Sequence, residues 1–308
     1  MTGKALVTGA SGFLGRALVA ALLSAGETVI AVGRKASPFA PHPRLTWRRI
    51  DLIDPGAPLA EITSNVDSIY HLSWSTVPAE ASLAPSQDAF QNIVGSLRLI
   101  ESIAPNAAPR FVFASSGGTI YGRLQHAPAT EDHPLNPISA YGVSKRAVEA
   151  YLDLFAASTS IRPVSLRMGN LFGPGQNTDR LFGAVTQFSK AALTGAPIVL
   201  FGDGSTVRDY VFIDDAVDAL MRAARAEPTS RALNIGSGEG QSLNDIIAIL
   251  ETHFHRPLKV KRLPPRAFDA PLSVLDPSRA RREIGWARKV SFEDGVLRTL
   301  KSLAKSAV

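Results

Sequence analysis

Ala5-Leu-Val-Thr8-Gly9-Ala-Ser-Gly12-Phe-Leu-Gly15 decides the fold of this 308-residue chain. Ala5 to Thr8 reads as a buried strand. Phe13 to Ser24 has the period of a helix and stops at Gly26. Glycines between a strand and a helix permit a tight turn and close approach of the backbone. The helix start adds free N–H groups and a positive dipole end, which suit a pyrophosphate. The spacing Gly9-x-x-Gly12-x-x-Gly15 differs from G-x-G-x-x-G, so a plain turn is the competing reading. Its place after a first strand favours a dinucleotide.

The pattern repeats outward from that unit. Thr28 to Val32, Leu45 to Ile50, Ser68 to Leu72, Arg110 to Ala114 and Val164 to Met168 read as further strands. Gln87 to Ala104 and Ala140 to Ala157 read as helices between them. Strands alternating with helices predict an α/β, Rossmann-like, doubly wound parallel sheet. After Met168 the alternation weakens. Gly169 to Gly175 is a turn-rich loop, followed by helical patterns over Asp179 to Leu193, Asp214 to Ala226 and Ser242 to Phe254. Short extended runs lie at Ile198 to Phe201, Val211 to Ile213 and Ala232 to Ile235. This reading assigns 1–168 and roughly 205–230 to a dinucleotide-binding part, and 169–204 and 231–308 to a smaller discontinuous lobe.

Composition sets bounds. Apolar residues are 45% and charged residues 19%, an ordinary globular balance. No apolar run approaches the ~18 residues that suggest a membrane span. There are no cysteines, so disulfides, thiolate metal sites and cysteine nucleophiles are excluded. Met1-Thr-Gly-Lys runs straight into a strand, and with it goes the expectation of a cytoplasmic protein without a signal peptide. The formal charge of +6 gathers late in the chain, from Arg256 to Lys289. It reads as a solvated surface or as a field for an anionic small molecule. No nucleic-acid recognition motif accompanies it.

Tyr141-Gly-Val-Ser-Lys145 places a phenol and an ammonium on one helix face. An ammonium beside a phenol favours the phenolate, which suits proton exchange. Ser115-Ser116 follows the fifth strand, where sheet ligands bind. At the end of the second strand, Gly33-Arg34-Lys35 lacks the carboxylate that holds the ribose of NAD. Arg34 can meet a 2′-phosphate, stack on adenine or face solvent, so NADP is admitted beside NAD. Asp51 suits either an adenine contact or a turn.

These stretches, with Asp51-Leu52, His71-Leu72-Ser73, Asn92-Ile-Val-Gly95, Tyr121-Gly122, Arg167-Met-Gly-Asn170, Gly202-Asp-Gly204, Arg208-Asp-Tyr-Val211 and Asn234-Ile-Gly236, make the resemblance specific. The chain resembles the extended short-chain dehydrogenase/reductases of the NAD-dependent epimerase/dehydratase family, and most of all the UDP-glucose 4-epimerases. That resemblance implies an enzyme, a nucleotide-sugar 4-epimerase with bound NAD, acting on an NDP-sugar and most readily on a UDP-hexose. An NADPH-dependent reductase of an NDP-4-keto-6-deoxy sugar is the alternative. It implies Tyr141 as acid/base, Lys145 as nicotinamide-ribose ligand lowering the tyrosine pKa, and Ser116 as hydrogen-bond partner of the reacting oxygen. The loop Ser115-Ser-Gly-Gly-Thr119 is one residue longer than the typical epimerase loop, so Ser115 and Thr119 stay as rivals to Ser116. Gly9, Ser11, Gly12, Phe13, Leu14, Gly15, Gly33, Arg34, Asp51, Leu52, Leu72, Ser73 and Asn92 would join Tyr141 and Lys145 around the cofactor. Asn170, Arg208, Arg266 and Asp269 would hold the sugar nucleotide.

Departures from the family pattern bear on the sugar. Phe212 stands where many relatives have histidine, and Met168-Gly169 replaces an aromatic pair. Gly117-Gly118 replaces the acidic pair expected of a 4,6-dehydratase, which argues against elimination. The resemblance also implies a homodimer formed by Gln87 to Ala104 and Ala140 to Ala157. Phe90, Val94, Leu97, Val148, Leu152 and Phe155 are candidates either for that interface or for the monomer core.

Overall fold

The computed structural model describes residues 3–178, 183–264 and 270–306. Arg266, Asp269 and the start of the helix expected over 179–193 lie outside the described residues. The chain opens with β1 (Lys4–Thr8), α1 (Phe13–Ser24), β2 (Thr28–Gly33), β3 (Leu45–Arg49), α2 (Leu59–Thr63) and β4 (Ser68–His71). Helices α3 (Pro78–Leu83) and α4 (Pro85–Asp88), a wider π-helical turn (Ala89–Val94) and α5 (Gly95–Glu101) lead to β5 (Arg110–Ser116). Then come α6 (Gly117–Ile120), α7 (Ala140–Ser158), β6 (Arg162–Met168) and β7 (Asn170–Phe172). The remainder is α8 (Ala184–Thr194), β8 (Ile198–Phe201), β9 (Val207–Phe212), α9 (Ile213–Arg225), β10 (Ala232–Ile235), β11 (Gly240–Ser242) and α10 (Leu243–Phe254). It closes with β12 (Val260–Leu263), β13 (Leu272–Ser273), α11 (Ser278–Ile284) and α12 (Phe292–Ser306).

Seven strands form one parallel sheet in the order β10-β6-β5-β4-β1-β2-β3. Strand order reverses between β1 and β4, and in such sheets ligands bind outside the carboxyl ends at that point. The strands are apolar on both faces because helices cover both. Ala5 and Val7 of β1 point into a layer with Leu18 and Leu22 of α1, Leu220 of α9 and Trp286. Leu6 points the other way, to Ile69, Leu99, Phe111 and Val148. A second core gathers Phe172, Phe188, Leu200, Tyr210, Phe212, Ile246 and Phe292. It backs a small sheet in which β9 pairs with β7, β11 and β13.

Four differences from the sequence reading have local causes. The helix expected over Gln87 to Ala104 is broken. Pro78 and Pro85 each start a short helix, and the chain then widens into the π-turn. β9 runs from Val207 to Phe212, and Ile213 opens α9 instead of ending a strand. The same strand belongs to the small sheet, although 205–230 was assigned to the dinucleotide-binding part. β10 joins the edge of the large sheet beside β6, although 231–308 was assigned to the smaller lobe. Leu233 and Ile235 are buried against that sheet, which draws the strand there. Ser242 does cap α10: its Oγ accepts from the Asp245 N–H while Asp245 accepts from the Ser242 N–H.

Candidate active site

A cleft of about 890 Å³ follows the carboxyl ends of β1, β2, β4, β5 and β6. Its floor is the β1–α1 loop. Gly9 has φ of +67°, and a Cβ there would lie 2.7 Å from the Leu72 carbonyl carbon and the Ser73 nitrogen. A Cβ on Gly15 would lie 2.3 Å from the Gly9 oxygen, so this glycine lets α1 sit on the loop. Gly15 acts by packing, whereas Gly9, Ser11, Gly12, Phe13 and Leu14 line the cleft. α1 starts at Gly12 with no side-chain cap and no acid in its first turn. Its positive end therefore stays available to an anion. The cradle fits a dinucleotide pyrophosphate.

Beyond the cradle, Gly33, Arg34, Asp51, Leu52, Leu72, Ser73 and Asn92 all line the same cleft, as do Tyr141 and Lys145. A Cβ on Gly33 would lie 2.6 Å from Trp47 Cη2, so the indole fills the space of an acidic ribose ligand. Exposed Arg34 and Lys35 follow directly. Asp51 Oδ1 accepts from the Ile53 N–H at 3.3 Å, which is the turn role. Asn92 is buried and bonded internally. Its Oδ1 accepts from the Ser75 N–H at 2.9 Å and from Ser75 Oγ at 3.0 Å, and its Nδ2 donates to Asp88 at 2.8 Å.

Tyr141 and Lys145 occupy the first turns of α7, whose N-cap Ser139 accepts from the Gly142 N–H. Lys145 is buried and donates to the Ala114 carbonyl at 2.7 Å. Its Nζ lies 3.5 Å from the centroid of the Trp74 ring, and that ring meets Tyr141 edge-on at 5.8 Å. Burial pulls Lys145 well below the usual lysine value, and Glu149 and Asp88 oppose the fall. Burial pushes the Tyr141 phenol above its usual value, and the Asp88 carboxylate pushes in the same direction. The expected lowering of the tyrosine by Lys145 is therefore corrected for the protein alone. Desolvation outweighs an ammonium that is itself weakened by burial.

Ser115, Ser116 and Thr119 all reach the cleft, at the end of β5 and in the helical turn α6. Ser115 Oγ and Thr119 Oγ1 are buried without a partner among the described residues, while Ser116 is half-buried. A Cβ on Gly117 would lie 2.4 Å from a methyl of Leu275 and 3.0 Å from the Arg167 carbonyl oxygen, so any side chain there would have to displace Leu275. Across the cleft stand Asn170 and Arg208, and Arg208 Nη1 donates to the Ala270 carbonyl at 2.7 Å. Three residues escaped the sequence reading: Trp74, Ser144 and the fully buried Asp88. Asp88 accepts from Thr76 Oγ1, Asn92 Nδ2 and Ser144 Oγ. No spacing rule points to them, because their roles arise from contacts between distant segments.

A dinucleotide cradle on a seven-stranded parallel sheet, with a Tyr–Lys pair and a serine cluster in the same cleft, defines a nicotinamide-dependent enzyme of the extended short-chain type. Comparison with known proteins makes this specific. The NAD dependent epimerase/dehydratase family model matches residues 5–236, and the chain belongs to that family. It is 33% identical to the UDP-glucose 4-epimerase of Mycolicibacterium smegmatis, covering 97% of both chains. It is 29% identical to a dTDP-4-dehydro-6-deoxyglucose reductase of Escherichia coli, covering 97% of this chain and 96% of the relative. The UDP-glucose 4-epimerase of Thermotoga maritima, solved with UDP-glucose, superposes with a TM-score of 0.91. The two are 32% identical, and the match covers 99% of this chain and all of that one.

Proposed function

We propose that this chain is an NDP-sugar 4-epimerase that uses bound NAD and takes a UDP-hexose. The observation that carries this reading is one cleft holding both the uncapped start of α1 and the Tyr141–Lys145 pair beside Ser116. When bound, the nicotinamide supplies reversible hydride acceptance. Tyr141 takes the proton of the sugar 4-hydroxyl and later returns it. Ser116 holds the reacting oxygen, with Ser115 and Thr119 as its rivals. Lys145 orients the nicotinamide ribose and supplies positive charge near the phenol. Gly9 to Leu14 seat the pyrophosphate, and Leu52, Leu72, Ser73 and Asn92 shape the walls. Asn170 and Arg208 face the sugar nucleotide, and Arg266 and Asp269 would complete its diphosphate and ribose contacts. The large sheet binds the dinucleotide and the small sheet with its helices binds the substrate. Positioning and exclusion of water are the protein's contribution.

The experiment is direct. Purified protein is incubated with UDP-glucose or UDP-galactose without added coenzyme, and both the sugars and any extracted nicotinamide are measured. Interconversion with retained cofactor is expected. A protein that purifies empty and consumes NADPH stoichiometrically with an NDP-4-keto sugar would overturn it in favour of the reductase reading. Gly33-Arg34-Lys35 and the similarity to the E. coli reductase favour that second reading.

We also propose a cytoplasmic homodimer. Among the described residues no helix is long and apolar enough to cross a membrane. Phe90 and Val94 are exposed on the π-turn, and Val143, Tyr151 and Leu154 on α7. Val148 and Leu152 are monomer core, and Phe155 packs against that core, so these three drop out of the interface set.

A further inference from the structure

Lys145 is a buried ammonium with no carboxylate in ion-pair contact among the described residues. A buried charge needs compensation. It donates to the Ala114 carbonyl at 2.7 Å and lies over the face of Trp74, whose centroid is 3.5 Å away, with the rings of Phe113 and Tyr141 farther off at 4.7 and 5.6 Å. The same indole touches Tyr141 edge-on at 5.8 Å and Phe113 at 6.0 Å. We propose that Trp74 is a positioning residue of the proton-transfer pair: its face receives the Lys145 ammonium and its edge sets the Tyr141 ring.

The segment carrying the indole is tied to the helix carrying the lysine. Ser75 donates twice to Asn92 Oδ1, and Thr76 Oγ1 donates to Asp88. Asp88 in turn accepts from Ser144, the residue before Lys145. The indole N–H is buried and has no partner among the described residues. What Trp74 contributes is therefore its ring, and a phenyl ring should do part of the same work. A cation over an aromatic face gains more in a desolvated site than at an exposed one.

The other titratable groups facing Lys145 are Asp88 from α4, Glu149 one turn on, Tyr141 one turn back and His71 from β4. Arg167 of β6 is paired with Glu149, Glu80 of α3 accepts from the Val77 N–H, and Arg98 of α5 bonds the carbonyls of Leu52 and Asp54. Arg110 of β5 bonds the Ala226 carbonyl at the far end of the sheet. None of these substitutes for the indole face.

The inference rests on the proposed function in giving Tyr141 the proton transfer, but its first readout needs neither sugar nor cofactor. The side-chain NMR signal of Lys145, assigned by its loss in Lys145→Met, is followed against pH in wild type, Trp74→Phe and Trp74→Leu. The expected result is that Trp74→Leu lowers the Lys145 titration by about one pH unit, while Trp74→Phe stays nearer wild type. The rising limb of kcat against pH then moves upward in Trp74→Leu, because a neutral amine no longer favours the phenolate. KM stays within about twofold, since the change acts on proton transfer more than on ground-state binding. Equal behaviour of the two variants, or an unmoved titration in folded Trp74→Leu, overturns the proposal. Should Trp74→Leu not fold, Trp74→Met takes its place, a flexible apolar filler without a ring face. A shifted titration in a protein that converts no sugar would leave this inference standing and sink the epimerase reading instead.

Discussion

Ser144 donates its hydroxyl to Asp88 at 2.5 Å, joining the residue before Lys145 to a carboxylate fully shut off from solvent. Asp88 also holds Thr76 and Asn92, so one side chain fixes three segments around the site. Asp88→Ala leaves the buried Ser144 hydroxyl without its acceptor and takes one acceptor from Asn92 Nδ2 and from the half-buried Thr76, at about 1–3 kcal/mol for each group left unsatisfied. We expect a loss of about 2–4 kcal/mol in urea unfolding, at the upper end of ordinary single substitutions. Asp88→Asn keeps an acceptor oxygen, and its loss should be clearly smaller. Equal losses would show that volume, not hydrogen bonding, is what matters there.

Tyr141→Phe removes only the phenol oxygen. If that oxygen moves the sugar proton, kcat falls on the order of 10²-fold or more. The cradle at Gly9 to Gly15 lies on another element, so nicotinamide retention should be unchanged. Sugar interconversion by NMR and cofactor release on denaturation measure both. Near-normal turnover would remove Tyr141 from the reaction.

The large sheet was legible because each strand is a short apolar run followed by a turn and a periodic helix. Glycines at 9, 12 and 15 after the first strand marked the loop, and the Tyr141–Lys145 spacing marked the site on α7 once read with Ser115-Ser116, the Pro-rich stretch before it and the glycine loop upstream. The membership of β9 and β10 was not legible, since both are short and their sheet is chosen by distant partners. Trp74 and Asp88 were silent for the same reason. Asp88 sits 56 positions before Ser144, and only the folded chain brings them together. The direction of the Tyr141 shift also depends on burial, which spacing does not report.

Close approach makes Gly15 the sharper test of the cradle. A methyl group there meets the Gly9 oxygen at 2.3 Å and the Ala10 Cα at 2.7 Å, both backbone atoms. Gly15→Ala should cost about 1–3 kcal/mol by overpacking and weaken dinucleotide binding, because the loop must shift. Gly56→Ala is the control, with nothing nearer than 3.6 Å. Thermal unfolding and dinucleotide titration of both variants check this, and equal behaviour would refute it.

The exposed apolar face predicts an assembly. Phe90 is 51% exposed and Leu154 61%, on neighbouring elements of one side of the molecule. Large apolar side chains left exposed on adjoining elements suit an interface. Charging both, as Phe90→Glu with Leu154→Glu, should convert a dimer to monomer in light scattering without lowering the melting temperature by more than a few degrees. A wild type that is monomeric at micromolar concentration refutes the dimer.

His71 gives the fold a pH limit. Ser96 Oγ donates to the Asn92 carbonyl, so towards His71 Nε2 it can only accept, which makes Nε2 the protonated nitrogen. Nδ1 then accepts from Thr8 Oγ1 at 2.8 Å, and the ring is neutral. Burial, with Lys145 adding to it, lowers His71 from 6.5 to about 3. The unfolded chain binds the proton more readily, so this contribution is fully present above about pH 6.5 and is lost as pH falls towards about 3. At about 1.4 kcal/mol per pH unit, the full difference is on the order of 5 kcal/mol. His71→Gln removes the titration while keeping a polar side chain. Unfolding free energies measured at several values between pH 7 and pH 4 should fall less steeply in the variant than in wild type. Parallel pH profiles would mean that His71 does not carry the acid sensitivity.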